Sequence, residues 1–155
     1  MDLYLTIKVA HIISSTVLFG TGLGIAFFMF RSHFSEHIQE KYYAAHNTVL
    51  ADYLFTLPAV ILQPLTGIFL VWKGGYNWLD TWLVWTYILY LLAGLCWIPV
   101  VWIQHQLKTL AADALHNGTK LPDSYHQLFR YWMLLGWPAF AGLILVFFLM
   151  VFKPA

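Results

Sequence analysis

Charge is what this sequence has least of. Only 10% of its 155 residues are Asp, Glu, Lys or Arg, against about a quarter in a soluble domain, so an ordinary water-soluble fold is excluded. Eight basic and seven acidic side chains leave a net charge of +1. The basic residues are scattered, which excludes a nucleic-acid-binding patch and a polybasic lipid-binding tail. A single cysteine, Cys96, excludes an internal disulfide, and its mid-helix position suits packing rather than chemistry. No fixed-period repeat and no low-complexity tract interrupts the chain. The opening MDLYLTIK has no basic cluster ahead of a short apolar core, and no small-residue cleavage site follows, so the first helix is expected to be retained.

What is present is apolar. Hydrophobic residues make up 61% of the chain and aromatics 19%, with a mean hydropathy of +0.69. Residues 9–30, 53–72, 81–107 and 131–152 carry no Asp, Glu, Lys or Arg, and each is long enough to cross a hydrocarbon core of about 30 Å as a helix. The runs are continuously apolar rather than alternating, which argues against a membrane β-barrel. The expected fold is all-α: a single domain over 1–155 forming an up-and-down four-helix membrane bundle, with helices at about 4–30, 48–72, 80–116 and 124–152. EKYYAAHNTVLADYLF and QHQLKTLAADALHNG lack internal Gly and Pro and keep helical spacing, so helices 2 and 3 should extend past the membrane into the cytoplasm. Asn117 and Gly118 read as a C-cap pair, and Asp123 or Ser124 as the N-cap of helix 4. KGGYNWLD, residues 73–80, is a tight turn. Arg31, Lys41, Lys108, Lys120 and Arg130 flank the longer connections and Lys8, Lys73 and Lys153 the other side, which places both termini on the outer face of a bacterial inner membrane.

Polar residues inside such runs are costly and usually face the bundle interior. In the first run Lys8, His11, Ser15, Leu18 and Gly22 share a helical face, with Ser14 beside it. A neutral imidazole is a natural metal ligand, although a lone membrane histidine more often hydrogen-bonds a neighbouring helix. The Gly20 and Gly24 pair and Gly136, Ala139 and Gly142 allow close helix approach or a slot for a flat ligand. On helix 2, Asp52, Thr56, Gln63 and Thr66 fall on one face, and Pro58 and Pro64 free the carbonyls of Leu54 and Val60. Thr86, Tyr90, Gly94 and Trp97 form a stripe on helix 3, where aromatic residues usually serve packing. His33 and His37 can chelate a metal only if their stretch is helical, and His46 and His105 are placed to meet between helices 2 and 3. Trp72, Trp78, Trp82 and Trp132 suit an interfacial belt.

YLTIKVAHIISSTVLFGTGLG, ADYLFTLPAVILQPLTGIFLVW and NWLDTWLVWTYILYLLAGLCWIPVVWIQ together resemble an uncharacterised bacterial family of four-helix integral membrane proteins, over nearly the whole chain. More remotely, YLTIKVAHII followed by a glycine-containing apolar stretch and Arg31 is similar to the start of HemJ-type protoporphyrinogen oxidases. CopD-like copper-resistance membrane proteins share the look. The HemJ resemblance implies haem b with His11 as its iron ligand, and oxidation of protoporphyrinogen IX to protoporphyrin IX. That family also has a functionally important lysine near the start of helix 3, where this chain has Trp82 in WLDTWL. A haem at His11 would have Lys8 for a propionate and Ser15, Gly22, Gln63, Thr86 and Tyr90 around it. No second axial ligand is evident: five-coordinate iron, Met150, or sharing across a homo-oligomer remain open.

Two functional classes therefore stand. One is a haem-containing membrane oxidoreductase working on a porphyrin and passing electrons to a quinone-like carrier. The other is a non-enzymatic membrane protein: an accessory subunit of a larger complex, or a permease for copper or a small solute, with His11, Gln63 and Asp52 along a polar path. A purely structural partner packing through Gly20 and Gly24 is the weakest of the readings.

Overall fold

The computed structural model describes residues 2–154. It consists of four helices, α1 (Leu3–His33), α2 (Ile38–Gly74), α3 (Thr81–Asn117) and α4 (Asp123–Phe152), with no strand among the described residues. All four are long and apolar enough to cross a membrane. Each of α2 and α3 has 37 residues, about 55 Å at 1.5 Å per residue, which exceeds a hydrocarbon core of about 30 Å. Helix α2 begins at Ile38, well before residue 48, so the stretch preceding its apolar run is continuous with the span.

The ends follow local chemistry. The Asp2 carboxylate accepts the Tyr4 amide at 2.9 Å and starts α1. At its other end the buried Lys41 ammonium donates to the His33 carbonyl at 2.9 Å, placing positive charge on the last turn of α1. Gly75 ends α2 at φ 70° and Gly118 ends α3 at φ 63°, left-handed conformations that favour glycine. The expected cap of α4 shifts by one residue: Pro122 occupies the N-cap and Asp123 is the first helical residue. A proline N-cap has no side-chain acceptor to offer, and Asp123 instead brings its negative charge to the positive end of the helix.

The helices turn back on one another in sequence. Helices α3 and α4 share the largest contact, the first half of α2 packs on α3, and residues 57–74 pack chiefly on α1. At the end bearing the 34–37 and 118–122 connections, hereafter the far end, Met29, Ala45, Leu107, Ala111 and Phe129 form the main core. Ala44, Ala45, Ala111 and Ala114 are buried there, and their small side chains allow close backbone approach. At the terminal end, which carries both chain ends, Val71, Trp82 and Leu83 form a smaller cluster. Phe28, Leu95, Ile98 and Val151 point outward, a distribution that water disfavours and lipid satisfies.

The main irregularity lies in α2. Asp52–Thr56 is a π-helical segment, and the Leu57 amide reaches back five residues to the Asp52 carbonyl. Pro58 follows at once and has no amide with which to continue the α-helical ladder. The carbonyl of Val60, freed by Pro64, is satisfied across the bundle: the Tyr90 hydroxyl donates to it at 2.6 Å.

Candidate functional site

The His11 centre lies between α1 and α2, toward the terminal end. His11 Nδ1 is 2.7 Å from Thr66 Oγ1, and Thr66 Oγ1 is 2.6 Å from the Leu62 carbonyl. A hydroxyl has one proton. With that proton given to Leu62, the imidazole must donate from Nδ1, which leaves the lone pair on Nε2. This is the tautomer of a histidine ligand oriented by a second hydrogen bond. Gln63 secures the same turn: its side-chain amide donates to the His11 carbonyl at 2.8 Å and to Ser14 Oγ. A Cβ at Gly67 would meet the imidazole at 3.5 Å, so the ring lies directly over this glycine.

Of the residues expected around a ligand, His11 and Gln63 come together and the others divide. Ser14, buried, meets Gln63, whereas Ser15 returns its hydroxyl to the Ile12 carbonyl at 2.8 Å. Ser15, Gln63 and Tyr90 still share the lining of a small pocket closed by Phe19 and Phe147. Gly22 sits against the Phe140 ring. Thr86 is buried and donates to the Trp82 carbonyl of its own helix at 2.7 Å, which directs it away from the His11 centre's hydrogen bonds. Gly20 and Gly24 face no atom within 4 Å of an added Cβ, so within this chain they bring no helices together. Met150 packs beside Val71, Trp82 and Leu83.

Histidines of the far end lie beside aromatic rings. The chain leaves helix between His33 and His37, with His37 at the N-cap of α2, so the four-residue spacing is not a helical one. His46 lies beside Tyr42, while His105 Nε2 is 3.2 Å from the Tyr53 hydroxyl. His33 stacks on Phe129 with ring centroids 4.4 Å apart.

A cation stands where the sequence has tryptophan. Trp82 is buried in the terminal cluster, and the Lys153 ammonium lies 5.4 Å from its ring centroid while donating to the Tyr76 hydroxyl at 2.7 Å. The Tyr76 phenol is held below the usual tyrosine range, mainly by this hydrogen bond and further by the charges of Lys153 and Lys8. Lys8 is exposed, and its charge reaches the same Tyr76 phenol as that of Lys153.

A second polar centre appears at the π segment. Asp52 is 4% exposed and Gln104 is 1% exposed, and Thr56, Gln104 and Trp97 face the Asp52 carboxylate. Asp52 Oδ2, Thr56 Oγ1, Trp97 Nε1 and Gln104 Oε1 are all buried without a hydrogen-bond partner. Each such group costs about 1–3 kcal/mol if left so. Asp52, Trp97 and Gln104, but not Thr56, belong to the residues around a pocket of about 170 Å³ between α2 and α3, whose open wall is apolar. The sequence marked Asp52, Thr56 and Trp97 on polar or aromatic stripes, but no signal within one segment could join them to Gln104.

No group of three or more His, Cys, Asp or Glu side chains converges among the described residues, so a metal at His11 would have at most two protein ligands of these types. For haem, the donor fits: Nε2 carries the lone pair, Thr66 fixes its orientation, and Lys8 stands one helical turn from His11 on α1 for a carboxylate. The enclosure is tight. The pocket between Ser15, Gln63, Tyr90 and Phe147 is about 40 Å³, near the volume of one water, and a macrocycle must lie along the half-exposed side of His11 or part the helices.

Four apolar helices with polar centres buried between them define a multi-pass integral membrane protein. The chain belongs to the family of predicted integral membrane proteins designated DUF2269, whose model matches residues 5–154. No curated protein and no solved structure matches it.

Proposed function

We propose that this chain is a haem b-binding membrane oxidoreductase in which His11 Nε2 is the axial ligand. The observation that carries the reading is the relay from His11 Nδ1 through Thr66 to the Leu62 carbonyl, which leaves a lone pair on the outward nitrogen of a histidine inside a membrane span. Haem, when bound, supplies one-electron redox chemistry. The protein's own part is to hold the imidazole in one tautomer, anchor its turn through Gln63, and present Lys8 and Lys153 to the carboxylates of a porphyrin. The resemblance of the first helix to HemJ-type enzymes makes protoporphyrinogen IX the substrate to test first. Lys153, placed over Trp82, returns a cation to the region where those enzymes have lysine. A bacterial inner membrane with both termini outside agrees with the distribution of basic residues.

The visible spectrum of the detergent-purified protein, oxidised and dithionite-reduced, tests the assignment. A Soret band lost in His11→Ala and shifted in Thr66→Val supports it. A folded, haem-supplied protein without a Soret band overturns it. Rescue of a strain lacking its own protoporphyrinogen oxidase then tests the substrate.

The second reading, a non-enzymatic accessory subunit or small-solute permease, is favoured by the polar groups that α2 carries from Asp52 to Thr66. A colourless protein whose proteoliposomes pass copper or a small solute in a His11-dependent and Asp52-dependent manner would select it.

A further inference from the structure

We propose that the far end holds a binding site for the phosphate of an anionic phospholipid, formed by His33 at the end of α1, Lys41 at the start of α2, and His126 and Arg130 at the start of α4. The site stands independently of whether His11 holds haem.

These residues are far apart in the sequence, and the fold gathers them. Lys41, His126 and Arg130 all bring their charges to the His33 ring, and the ring centroids of His33 and His126 are 6.1 Å apart. Stacking on Phe129 fixes the His33 ring, while its Nδ1 is buried without a hydrogen-bond partner. Lys41 is 7% exposed, and of its three ammonium protons one goes to the His33 carbonyl at 2.9 Å. A carbonyl carries no net charge, so this contact orients the ammonium without neutralising it. Buried charge of this kind is costly until an opposite charge joins it. Arg130 is exposed and His126 half-buried, so the cluster is reached from outside the bundle along α4.

The helix ends add charge of the same sign. Helices α2 and α4 both start here, and neither N-terminus has a side-chain capping hydrogen bond. Free amides and the positive end of each helix dipole favour an anion. Lys41 and His126, in the first turns of α2 and α4, are basic where the dipole disfavours a cation. Glu40 and Asp123 share those turns and Glu36 lies in the 34–37 connection, but all three are exposed to screening by water and salt, whereas Lys41 is not. A phosphate, with a full negative charge and several acceptor oxygens, suits this set of donors.

The level of the cluster selects a lipid. Arg31 closes the uncharged run of α1 and Arg130 precedes that of α4, so the basic groups stand where the apolar surface ends. Phe30, Phe34 and Tyr131 beside them are exposed, and such rings suit the boundary between headgroup and acyl chain. Basic pockets between spans at this level are a recurrent way to hold anionic headgroups.

The test uses the full-length protein in mixed micelles into which dioleoylphosphatidylglycerol is titrated, with the thermal unfolding midpoint read by tryptophan fluorescence. Dioleoylphosphatidylcholine and inorganic phosphate are titrated in parallel. The expected result is a saturable rise in the midpoint with phosphatidylglycerol alone, weakened by added salt. Arg130→Gln should weaken the apparent affinity about tenfold, because it removes a charged donor to the phosphate. Lys73→Gln, an equal loss of charge at an exposed position of the terminal end, should leave it unchanged. Equal stabilisation by phosphatidylcholine overturns the proposal, as does an affinity unchanged in Arg130→Gln or lowered equally in Lys73→Gln. A rise produced by inorganic phosphate as readily as by the lipid overturns the lipid as the ligand. Should Arg130→Gln fail to fold, His126→Gln is read in its place, and an unchanged affinity there overturns the site.

Discussion

The bond from Tyr90 to the Val60 carbonyl offers the sharpest test of the packing argument, because its value depends on a proline elsewhere. Residue 64 is proline and has no amide to give to Val60. The Tyr90 hydroxyl supplies the missing donor at 2.6 Å. An ordinary interhelical hydrogen bond in a membrane contributes about 0.6 kcal/mol, with a ceiling near 1.7. A buried carbonyl left without a partner costs about 1–3 kcal/mol. Tyr90→Phe removes only the hydroxyl, so its cost should fall near the upper part of the first range, about 1.5 kcal/mol, or roughly tenfold in the unfolding equilibrium. In a Pro64→Ala background the new amide can bond to Val60 within the helix, and the same substitution should then cost about 0.5 kcal/mol. The coupling of about 1 kcal/mol is read from a double-mutant cycle by denaturant titration in mixed micelles, followed by tryptophan fluorescence. Equal costs for Tyr90→Phe in both backgrounds would refute the claim that this hydroxyl replaces the proline's missing amide.

Other substitutions probe the ends and the core. Lys41→Met removes the ammonium from the His33 carbonyl, and should destabilise the protein by about 1–2 kcal/mol and speed amide exchange over residues 34–37. Leu107→Ala, at a fully buried position, should cost about 2–5 kcal/mol in micellar unfolding. Leu95→Ala, at a position 68% exposed, should cost about 0.5 kcal/mol or less, and similar costs at the two positions would contradict the assignment of interior and lipid-facing surfaces. Tyr76 should ionise below the ordinary tyrosine value of about 10. The sign follows from linkage: a folded-state value below the unfolded one adds stability as pH rises through it, complete above the unfolded value and absent below the folded one. Ultraviolet tyrosinate titration of wild type against Tyr76→Phe reads the group directly, and Lys153→Met should move it back upward.

The four spans were legible because lipid imposes one rule on every stretch of chain within it, and runs without charge declare themselves one residue at a time. Gly118 was legible for a similar reason, since a left-handed terminus favours glycine whatever lies around it. The site was only partly so. Successive residues on a helix differ by about 100°, so Ser14 and Ser15 flank the direction of His11 on opposite sides, and only packing against Gln63 chooses Ser14. Thr66 was visible on its stripe, yet its importance comes from His11 on another helix. Pro58 announced a disturbance without deciding its form, because a kink, a lost bond or a π turn can each absorb a missing amide. Gln104 is separated from Asp52 by the whole terminal half of the hairpin, and nothing local sets the register between them.

The structure of α2 explains how its two centres differ. Its first half packs on both α3 and α1, its second chiefly on α1, and the extensive contact with α3 ends at the π segment. Beyond that point α2 meets α3 through the Tyr90 hydroxyl and, at the terminal end, through Val71 against Trp82 and Leu83. His11, Ser14, Gln63 and Thr66 therefore belong to a unit of α1 with the second half of α2. The Asp52 pocket lies at the joint between that unit and α3. Thr66 follows Asp52 by 14 residues, about 21 Å along a helix, so the two centres occupy different depths without sharing a ligand. Phe19 closes the space between the units by packing on Phe140 at 4.7 Å and Phe147 at 5.4 Å between ring centroids. A ligand larger than a water that enters beside Gln63 must displace these rings, whereas the space beside Asp52 already exists but is walled by apolar groups. The His11 centre therefore depends on how far α1 can part from α4, and the Asp52 centre on the π turn holding its register.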